Sequence, residues 1–172
     1  MRDRVLLVAA MLEQRVFAAD TFSSIKCTDV IEHVRSPAVA AAEMLRAIHP
    51  RGSVYVLTPN KWNFYMREPH VKLWGVQFLP RTLADGYSNM RLGVTYSTVS
   101  SLLSVRQLRA AFRVGGAGVV RLVPVEDKHL NPGSRRGQKA KLLFSRGPLA
   151  WLSRAVRPVQ PVLEAVVVRA QQ

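Results

Sequence analysis

The stretch SIKCTDVIEHVRSPAVAAAEMLRAIHPRGSVYVLTP, Ser24 to Pro59, decides the fold of this chain. Its first residues, Ser24 to Thr28, are β-prone and mostly apolar, which predicts a buried strand. Its last residues, Ser53 to Pro59, predict a second strand for the same reason. The segment between them is long enough for one crossover connection, so the two strands are predicted to run parallel in an α/β sheet.

A helix is predicted between these two strands. Ser36 followed by Pro37 is a favourable pair of N-cap and first helical residue. Apolar residues then recur at near-helical spacing as far as Ile48, which predicts a helix from Pro37 to Ile48. The residues HPRG, His49 to Gly52, are predicted to end this helix in a turn.

Four further elements flank this unit. A helix is predicted over Val5 to Gln14, which contains no proline or glycine, and another over Val105 to Val114, with Gly115 near its C-cap. Apolar, β-prone runs predict strands over 118–125 and 162–170. The sequence shows no internal repeat, and residues 1–172 are predicted to form a single domain.

Two long segments separate these elements. Residues 60–95 are rich in aromatic side chains, and a segment of this length is usually either a cover over a functional site or a partly helical flap that stabilises the sheet. Both interpretations stay open for this segment. Residues 128–161 form a basic segment that is marked by proline and glycine.

The chain is strongly basic, with a net charge of +14 from 25 basic and 11 acidic residues. Such a surface can meet an anionic membrane or an acidic partner, or it can simply be solvated. Nucleic-acid binding is not expected, because no aromatic residues are interleaved regularly in the basic segment. The single cysteine, Cys27, excludes an internal disulfide, and no apolar run reaches the length of a membrane span. We therefore expect a cytoplasmic protein, with a location at the membrane periphery as the alternative.

Three polar residues follow the first predicted strand. Asp29, Glu32 and His33 stand at positions i, i+3 and i+4, so a helical turn after the strand would project all three from one face. Ligands of open α/β sheets bind at the carboxyl ends of the strands, where these residues lie. The three side chains could hold a magnesium ion or supply a general base. Alternatively, Asp29 or Glu32 caps the following turn while His33 hydrogen-bonds a carbonyl group.

The residues FSSIKCTDVIEHV and AAAEMLRAIHPRGSVYVLTPN resemble part of the class I S-adenosylmethionine-dependent methyltransferases. The matching pattern is an apolar strand ending in C-x-D/E-x-x-E-H-V, a helix, a turn, and a strand ending in T-P-N. It covers Phe17 to Asn60, the family's fourth to fifth strand, and Leu103 to Pro124 resemble the helix and strand that follow. The nearest subfamily is the ubiquinone-biosynthesis O-methyltransferases. The resemblance implies a partial Rossmann-like sheet, mostly parallel, with an antiparallel closing strand.

The resemblance also implies roles for individual residues. Asp29, Glu32 and His33 would bind magnesium, and Asp29 and His33 would be catalytic. Thr28 and Asp29 would contact S-adenosylmethionine. The side chains implied to cover the acceptor are Trp62, Tyr65, His70 and Trp74.

The sequence departs from the family pattern in its glycines. The first glycine is Gly52, so no glycine-rich cofactor loop precedes the motif. The glycines from Gly115 to Gly118 end a predicted helix instead of opening one, which is the reverse of the cofactor-loop context. The expectation is a truncated domain that lacks the glycine-rich N-terminal half and binds S-adenosylmethionine weakly or not at all.

The predicted function is methyl transfer from S-adenosylmethionine to a small-molecule acceptor, at oxygen. Two alternatives of other classes stay open. One is a non-catalytic remnant or interaction protein that has lost cofactor binding, and the other is a basic protein that binds the membrane periphery.

Overall fold

The computed structural model describes residues 5–64, 67–99, 101–122 and 162–169. Four strands form one sheet, in the spatial order β1-β2-β4-β3. The elements in chain order are β1 (Phe22–Thr28), α1 (Pro37–Ala47), β2 (Ile48–Pro59), a 3₁₀ turn (Val76–Phe78), α2 (Arg81–Leu92), α3 (Tyr96–Val99), α4 (Val105–Val114), β3 (Ala117–Leu122) and β4 (Val162–Arg169).

The sheet is mixed, and three of its four strands run in the same direction. Strands β1 and β2 pair in parallel, with Thr28 opposite Leu57. Strand β4 lies between β2 and β3 and pairs with both in the antiparallel sense. Strands β1, β2 and β3 therefore point in one direction, and β4 runs against them. This confirms the predicted α/β class and the antiparallel closing strand.

The crossover between β1 and β2 is helix α1. The Ser36 hydroxyl accepts a hydrogen bond from the Val39 amide at 3.4 Å, and Pro37 is the first helical residue, as predicted. Helix α1 ends before His49, as predicted, and residues His49 to Gly52 lie within β2. None of these four residues pairs with β1, because Ile48 is opposite Phe22 and Ser53 is opposite Ser24, so they form a bulge instead of a turn. Gly52 lies where the pairing of β1 with β2 shifts register, between Phe22 and Ser24. A Cβ atom on Gly52 would lie 2.7 Å from the Ser23 carbonyl oxygen. The glycine lets the two backbones approach at this bulge.

The main core lies between the sheet and helices α1 and α4. Phe112 of α4 and Val54 and Val56 of β2 are completely buried in it. The two helices come so close that a Cβ atom on Gly115 would lie 2.9 Å from the Ala42 amide nitrogen. Ser104 and Gln107 form a capping box at the start of α4. The local capping sequence therefore begins the helix at the same residue from which it packs on the core.

The N-terminal segment differs from its prediction. Residues 5–14 contain no helix, and the side chains of Val5, Leu6 and Leu7 are 84%, 83% and 91% exposed. Helix nucleation is unfavourable unless packing of an apolar face offsets it, and these side chains pack on nothing in the described part of the chain.

Strand β1 also differs from its prediction as a buried strand. Among the described residues it lies at the edge of the sheet, and only Cys27 of its side chains is buried. The last two predicted strands are confirmed as β3 and β4. The basic segment 128–161 lies outside the described residues, and no described helix is long and apolar enough to cross a membrane.

We expect Phe112→Ala to lower the free energy of unfolding by about 3–5 kcal/mol, because it leaves a cavity between α4 and the sheet. The matched control is Val114→Ala in the same helix, where the side chain is 79% exposed and the expected change is within about 0.5 kcal/mol. Urea unfolding of both variants measures the difference. Equal losses in the two variants would contradict this account of the core.

Candidate functional site

The carboxyl ends of β1 and β2 meet at one edge of the sheet. The Asp29 amide donates to the Leu57 carbonyl oxygen at 2.9 Å, which extends the parallel pairing past the end of β1. The Thr58 hydroxyl donates to Oε2 of Glu32 at 2.8 Å. The motif after β1 and the segment that begins at Asn60 therefore share this edge, as the sequence predicts.

A single tight turn follows β1. Asp29 adopts a left-handed backbone conformation, with φ of +51°, which aspartate tolerates better than most residues. The His33 amide then donates to the Val30 carbonyl oxygen at 2.9 Å and closes the turn. This geometry sends Ile31 into the main core, buries Glu32 and leaves His33 exposed.

The carboxylate of Glu32 is buried, and only one of its two oxygens accepts a hydrogen bond from a described residue. Its side chain is 1% exposed, and its Oε1 atom has no hydrogen-bond partner among the described residues. None of the ion pairs in the described part of the chain involves Glu32. An unsatisfied buried acceptor is costly and requires an explanation, which is often a bound water or ion.

Two histidines lie beside each other at this edge. The rings of His33 and His70 are in edge-to-face contact, with centroids 4.7 Å apart. Nδ1 of His33 donates to the Val99 carbonyl oxygen at 2.8 Å. Nδ1 of His70 donates to Oε1 of Glu68 at 2.7 Å. Both rings are therefore fixed through Nδ1, and Nε2 is the nitrogen left for a ligand.

Glu68 organises the loop that carries His70. Its carboxylate is buried, and its Oε2 atom accepts hydrogen bonds from the amides of His70 and Val71, both at 2.7 Å. The same carboxylate therefore sets the backbone of the loop and the orientation of the imidazole. Glu68 is not among the site residues predicted from the sequence, although an acid two residues before a histidine could have indicated it.

The structure brings together a different set of three residues from the one predicted. Glu32, His33 and His70 each offer one potential ligand atom, and these atoms lie within 4.8 Å of one another. Asp29 is exposed and does not belong to this group. From the sequence His70 is predicted only as a covering residue, because its distance along the chain from Glu32 gives no sign of their proximity.

A cavity of about 740 Å³ opens beside this group. Glu32, His33 and Gln77 line it together with basic side chains. The amide nitrogen of Gln77 donates to the Asn63 carbonyl oxygen at 3.0 Å, while its Oε1 atom is buried without a partner among the described residues. The basic residues in the lining are Arg35, Lys61 and Arg81.

The aromatic segment after β2 is partly helical, with the 3₁₀ turn and α2 in its second half. Trp62 stacks on Phe64 and Phe78, with ring centroids 6.1 and 5.8 Å away. Trp62 and Trp74 remain 42% and 47% exposed, and Tyr65 lies outside the described residues. Of the four predicted covering residues, the structure brings His70 into the group with Glu32 and His33.

Cys27 and Thr28 form the end of β1. Burial, and next the negative charge of Glu32, raise the pKa of the Cys27 thiol from 9.0 to about 11. The Thr28 hydroxyl oxygen is buried and has no partner among the described residues. The thiol is therefore an inert part of the core, whereas the hydroxyl has capacity for a further hydrogen bond.

Comparison with known proteins relates this architecture to methyltransferases. No protein-family model matches the chain, and no curated protein matches it. Among solved structures, the methyltransferase bound to the Trm112 activator of Haloferax volcanii has a TM-score of 0.53 at 14% identity. A possible histamine N-methyltransferase from Thermotoga maritima has a TM-score of 0.53 at 12% identity. An S-adenosylmethionine-dependent methyltransferase from Mesorhizobium loti has a TM-score of 0.52 at 16% identity.

These similarities cover most of this chain and only part of its neighbours. The matches cover 95%, 96% and 93% of this chain, and 61%, 65% and 67% of the three neighbours in the same order. At such low sequence identity, the structural likeness shows a shared fold alone. The chain therefore has the α/β fold of S-adenosylmethionine-dependent methyltransferases and spans about two thirds of their length.

We expect Thr58→Val to destabilise the protein by about 1–3 kcal/mol, because it leaves both oxygens of the buried Glu32 carboxylate without a hydrogen bond. Thr58→Ser retains the hydroxyl and should recover most of this loss. Thermal and urea unfolding measure both variants. A Thr58→Val variant as stable as the unaltered protein would contradict a stabilising hydrogen bond from Thr58 to Glu32.

We expect the Cys27 thiol to resist alkylation by iodoacetamide at pH 8 and to react fully after denaturation. Because its folded pKa is raised from 9.0 to about 11, its contribution to stability is complete below pH 9 and is lost as the pH rises toward 11. Mass spectrometry after timed alkylation measures the reaction. Rapid labelling of the folded protein at pH 8 would contradict the assigned burial.

Proposed function

We propose that this chain forms the acceptor-binding part of an S-adenosylmethionine-dependent O-methyltransferase. The observation that carries this proposal is the buried Glu32 carboxylate, whose Oε1 atom lacks a partner at the carboxyl edge of the sheet. Open α/β sheets bind their ligands at this edge. The methyltransferase fold of the solved neighbours supports a methyl donor here.

The residues at the end of β1 would face the methyl donor. The buried Thr28 hydroxyl has no partner among the described residues and is available to a polar group of the cofactor. Asp29 extends from the exposed left-handed position next to it and can accept hydrogen bonds from a ribose or an amino group. Both assignments are proposals, and they keep the roles that the family resemblance implies.

The acceptor would occupy the cavity beside Glu32, His33 and Gln77. Three basic residues also line this cavity, which favours a small hydroxylated acceptor that carries a negative charge. The acceptor oxygen would form its bond to the methyl carbon while the bond from that carbon to the cofactor sulfur breaks, and the hydroxyl proton would pass to Oε1 of Glu32. In-line geometry supplies most of the rate enhancement, so Glu32 and His33 would act by holding the hydroxyl in place.

The magnesium site implied by the resemblance does not fit the arrangement of these residues. Asp29 is exposed and stands apart from the group that Glu32 and His33 form with His70. Magnesium also prefers oxygen ligands, whereas two of these three side chains offer ring nitrogens. We therefore assign no step of the reaction to a magnesium ion.

We expect the isolated chain to bind S-adenosylmethionine weakly or not at all. No glycine precedes Gly52 in this sequence, and without a glycine-rich loop the backbone cannot approach the cofactor closely. Isothermal titration calorimetry with S-adenosylmethionine and S-adenosylhomocysteine measures the affinity. Micromolar binding by this chain would show that other residues replace the glycine loop.

We expect Glu32-dependent methyl transfer when the glycine-rich N-terminal half of a methyltransferase of this fold is fused to the chain. Transfer of a labelled methyl group to small hydroxylated acids is the measurement. Glu32→Gln should lower kcat/KM by about 100-fold, because it changes a group that positions the reacting oxygen. The control is Glu43→Gln, which alters an acid of α1 that pairs with Arg46. Binding of S-adenosylmethionine without transfer to any acceptor would refute the proposed function.

A further inference from the structure

We propose that the cavity beside Glu32 binds a small phosphate monoester that carries at least two hydroxyl groups. The volume of this cavity, about 740 Å³, lies in the range of small-molecule sites. Its lining combines positive charges that have no acidic partner with buried acceptors that have no donor. The inference deepens the proposed function and rests on it in one respect, namely that the bound molecule is the methyl acceptor.

The positive charges of the lining call for an anion with two negative charges. Arg35, Lys61 and Arg81 line the cavity, and none of them takes part in an ion pair with a described residue. Glu32 is the only acid among the described residues of the lining. With histidine counted as neutral, the lining therefore has an excess of two positive charges. A phosphate monoester carries close to two negative charges at neutral pH, whereas a single carboxylate carries one.

Helix α2 directs its N-terminus toward the same cavity. Arg81 is the first residue of α2, and Arg81 and Ala84 of its first turn both line the cavity. The first amides of a helix have no acceptor within the helix. No side chain caps α2 at Pro80, and its first turn contains no acidic residue. A phosphate group suits this helix end, because the amides and the helix dipole both attract an anion.

Two buried acceptors of the lining call for hydrogen-bond donors on the same ligand. Oε1 of Glu32 and Oε1 of Gln77 are both buried without a partner in the described part of the chain. The orientation of the Gln77 amide is fixed, because its nitrogen donates to the Asn63 carbonyl oxygen, which can only accept. Gln77 is 5% exposed, and an unpaired oxygen at such a position is costly. A ligand with two hydroxyl groups satisfies both oxygens.

Gln77 is then the residue that determines specificity at this site. In the proposed reaction the hydroxyl at Glu32 receives the methyl group, whereas the hydroxyl at Gln77 only positions the acceptor. A phosphate monoester without hydroxyl groups leaves the Gln77 oxygen unpaired, and a site that hydrogen-bonds a substrate group discriminates strongly against an analogue that lacks it. Gln77 lies in the 3₁₀ turn that comes shortly before α2, so neighbouring parts of the chain supply this acceptor and the anion site.

The test is a binding titration of the full chain at about pH 8 and low ionic strength, in the absence of S-adenosylmethionine. The probes are glycerol 3-phosphate, propyl phosphate, which lacks hydroxyl groups, and glycerate, which has a carboxylate in place of the phosphate. Saturation-transfer NMR measures the dissociation constants. We expect glycerol 3-phosphate to bind about 10-fold more tightly than either analogue. Equal affinity for propyl phosphate, or for glycerate, would overturn the proposal.

Three variants assign the roles of individual side chains. Gln77→Met removes the acceptor at similar side-chain size and should weaken glycerol 3-phosphate binding by about 10-fold, with propyl phosphate binding unchanged. Arg81→Gln should weaken the binding of both phosphates by about 10-fold. The matched control is Arg91→Gln in the last turn of α2, which should change neither affinity. Equal losses in Arg81→Gln and Arg91→Gln, or unchanged binding of both phosphates in Gln77→Met, would contradict the assigned site.

The design separates this inference from folding defects and from the proposed function. Circular dichroism checks the fold of each variant, and the comparison of the three probes on the unaltered chain decides the ligand class without any variant. Selective binding of glycerol 3-phosphate without methyl transfer in the fused enzyme would support this site and refute the proposed function. Methyl transfer to acceptors that lack a phosphate, with no selective binding of glycerol 3-phosphate, would refute this site alone.

Discussion

The parallel pairing of β1 with β2 is the constraint on which the rest of the structure depends. Its register places Thr28 opposite Leu57, so both strands end at the same edge. The first residues after β1 then lie against the last residues of β2. The hydrogen bond between Thr58 and Glu32 follows directly from this register. A slip of one residue would turn the Thr58 hydroxyl to the opposite face and leave the Glu32 carboxylate without this hydrogen bond.

Burial of Glu32 connects the fold to the chemistry of the site. The turn after β1 must send Ile31 into the core, and the next side chain is then enclosed between the strand end and the segment after β2. A carboxylate in such a place is expensive unless a partner offsets its charge. The structure supplies the carboxylate with one hydroxyl, from Thr58, and two neighbouring imidazoles, which is an arrangement suited to a bound ligand.

The aromatic segment after β2 both packs on itself and presents a polar side chain at the edge of the sheet. Stacking of Trp62, Phe64 and Phe78 and the small cluster around Val76 give it internal packing of its own. The buried Glu68 carboxylate orders the tight loop that presents His70. The two interpretations of this segment as a stabilising flap and as a cover are therefore compatible, because the same packing that stabilises it also holds a polar side chain over the strand ends.

The sequence by itself determined the elements whose signals are local. The Ser36 cap, the spacing of apolar residues in α1 and α4, and the β-prone run of β2 predicted the fold class and the edge where the motif lies. Local signals also misled at the N-terminus, where an apolar run without packing partners does not become a helix. Residues His49 to Gly52, expected as a turn, lie within β2, where the pairing with β1 skips them and leaves them as a bulge.

Only the tertiary structure decided which side chains meet at the site. Spacing along the chain favoured Asp29 as the companion of Glu32 and His33, but the left-handed backbone at Asp29 turns that residue toward solvent. His70 takes its place from far along the chain, because the loop ordered by Glu68 folds back over the strand ends. Local propensities act over a few residues. A site, in contrast, is formed by the pairing of strands and loops that are distant in sequence, and that pairing produces no periodic pattern in the sequence.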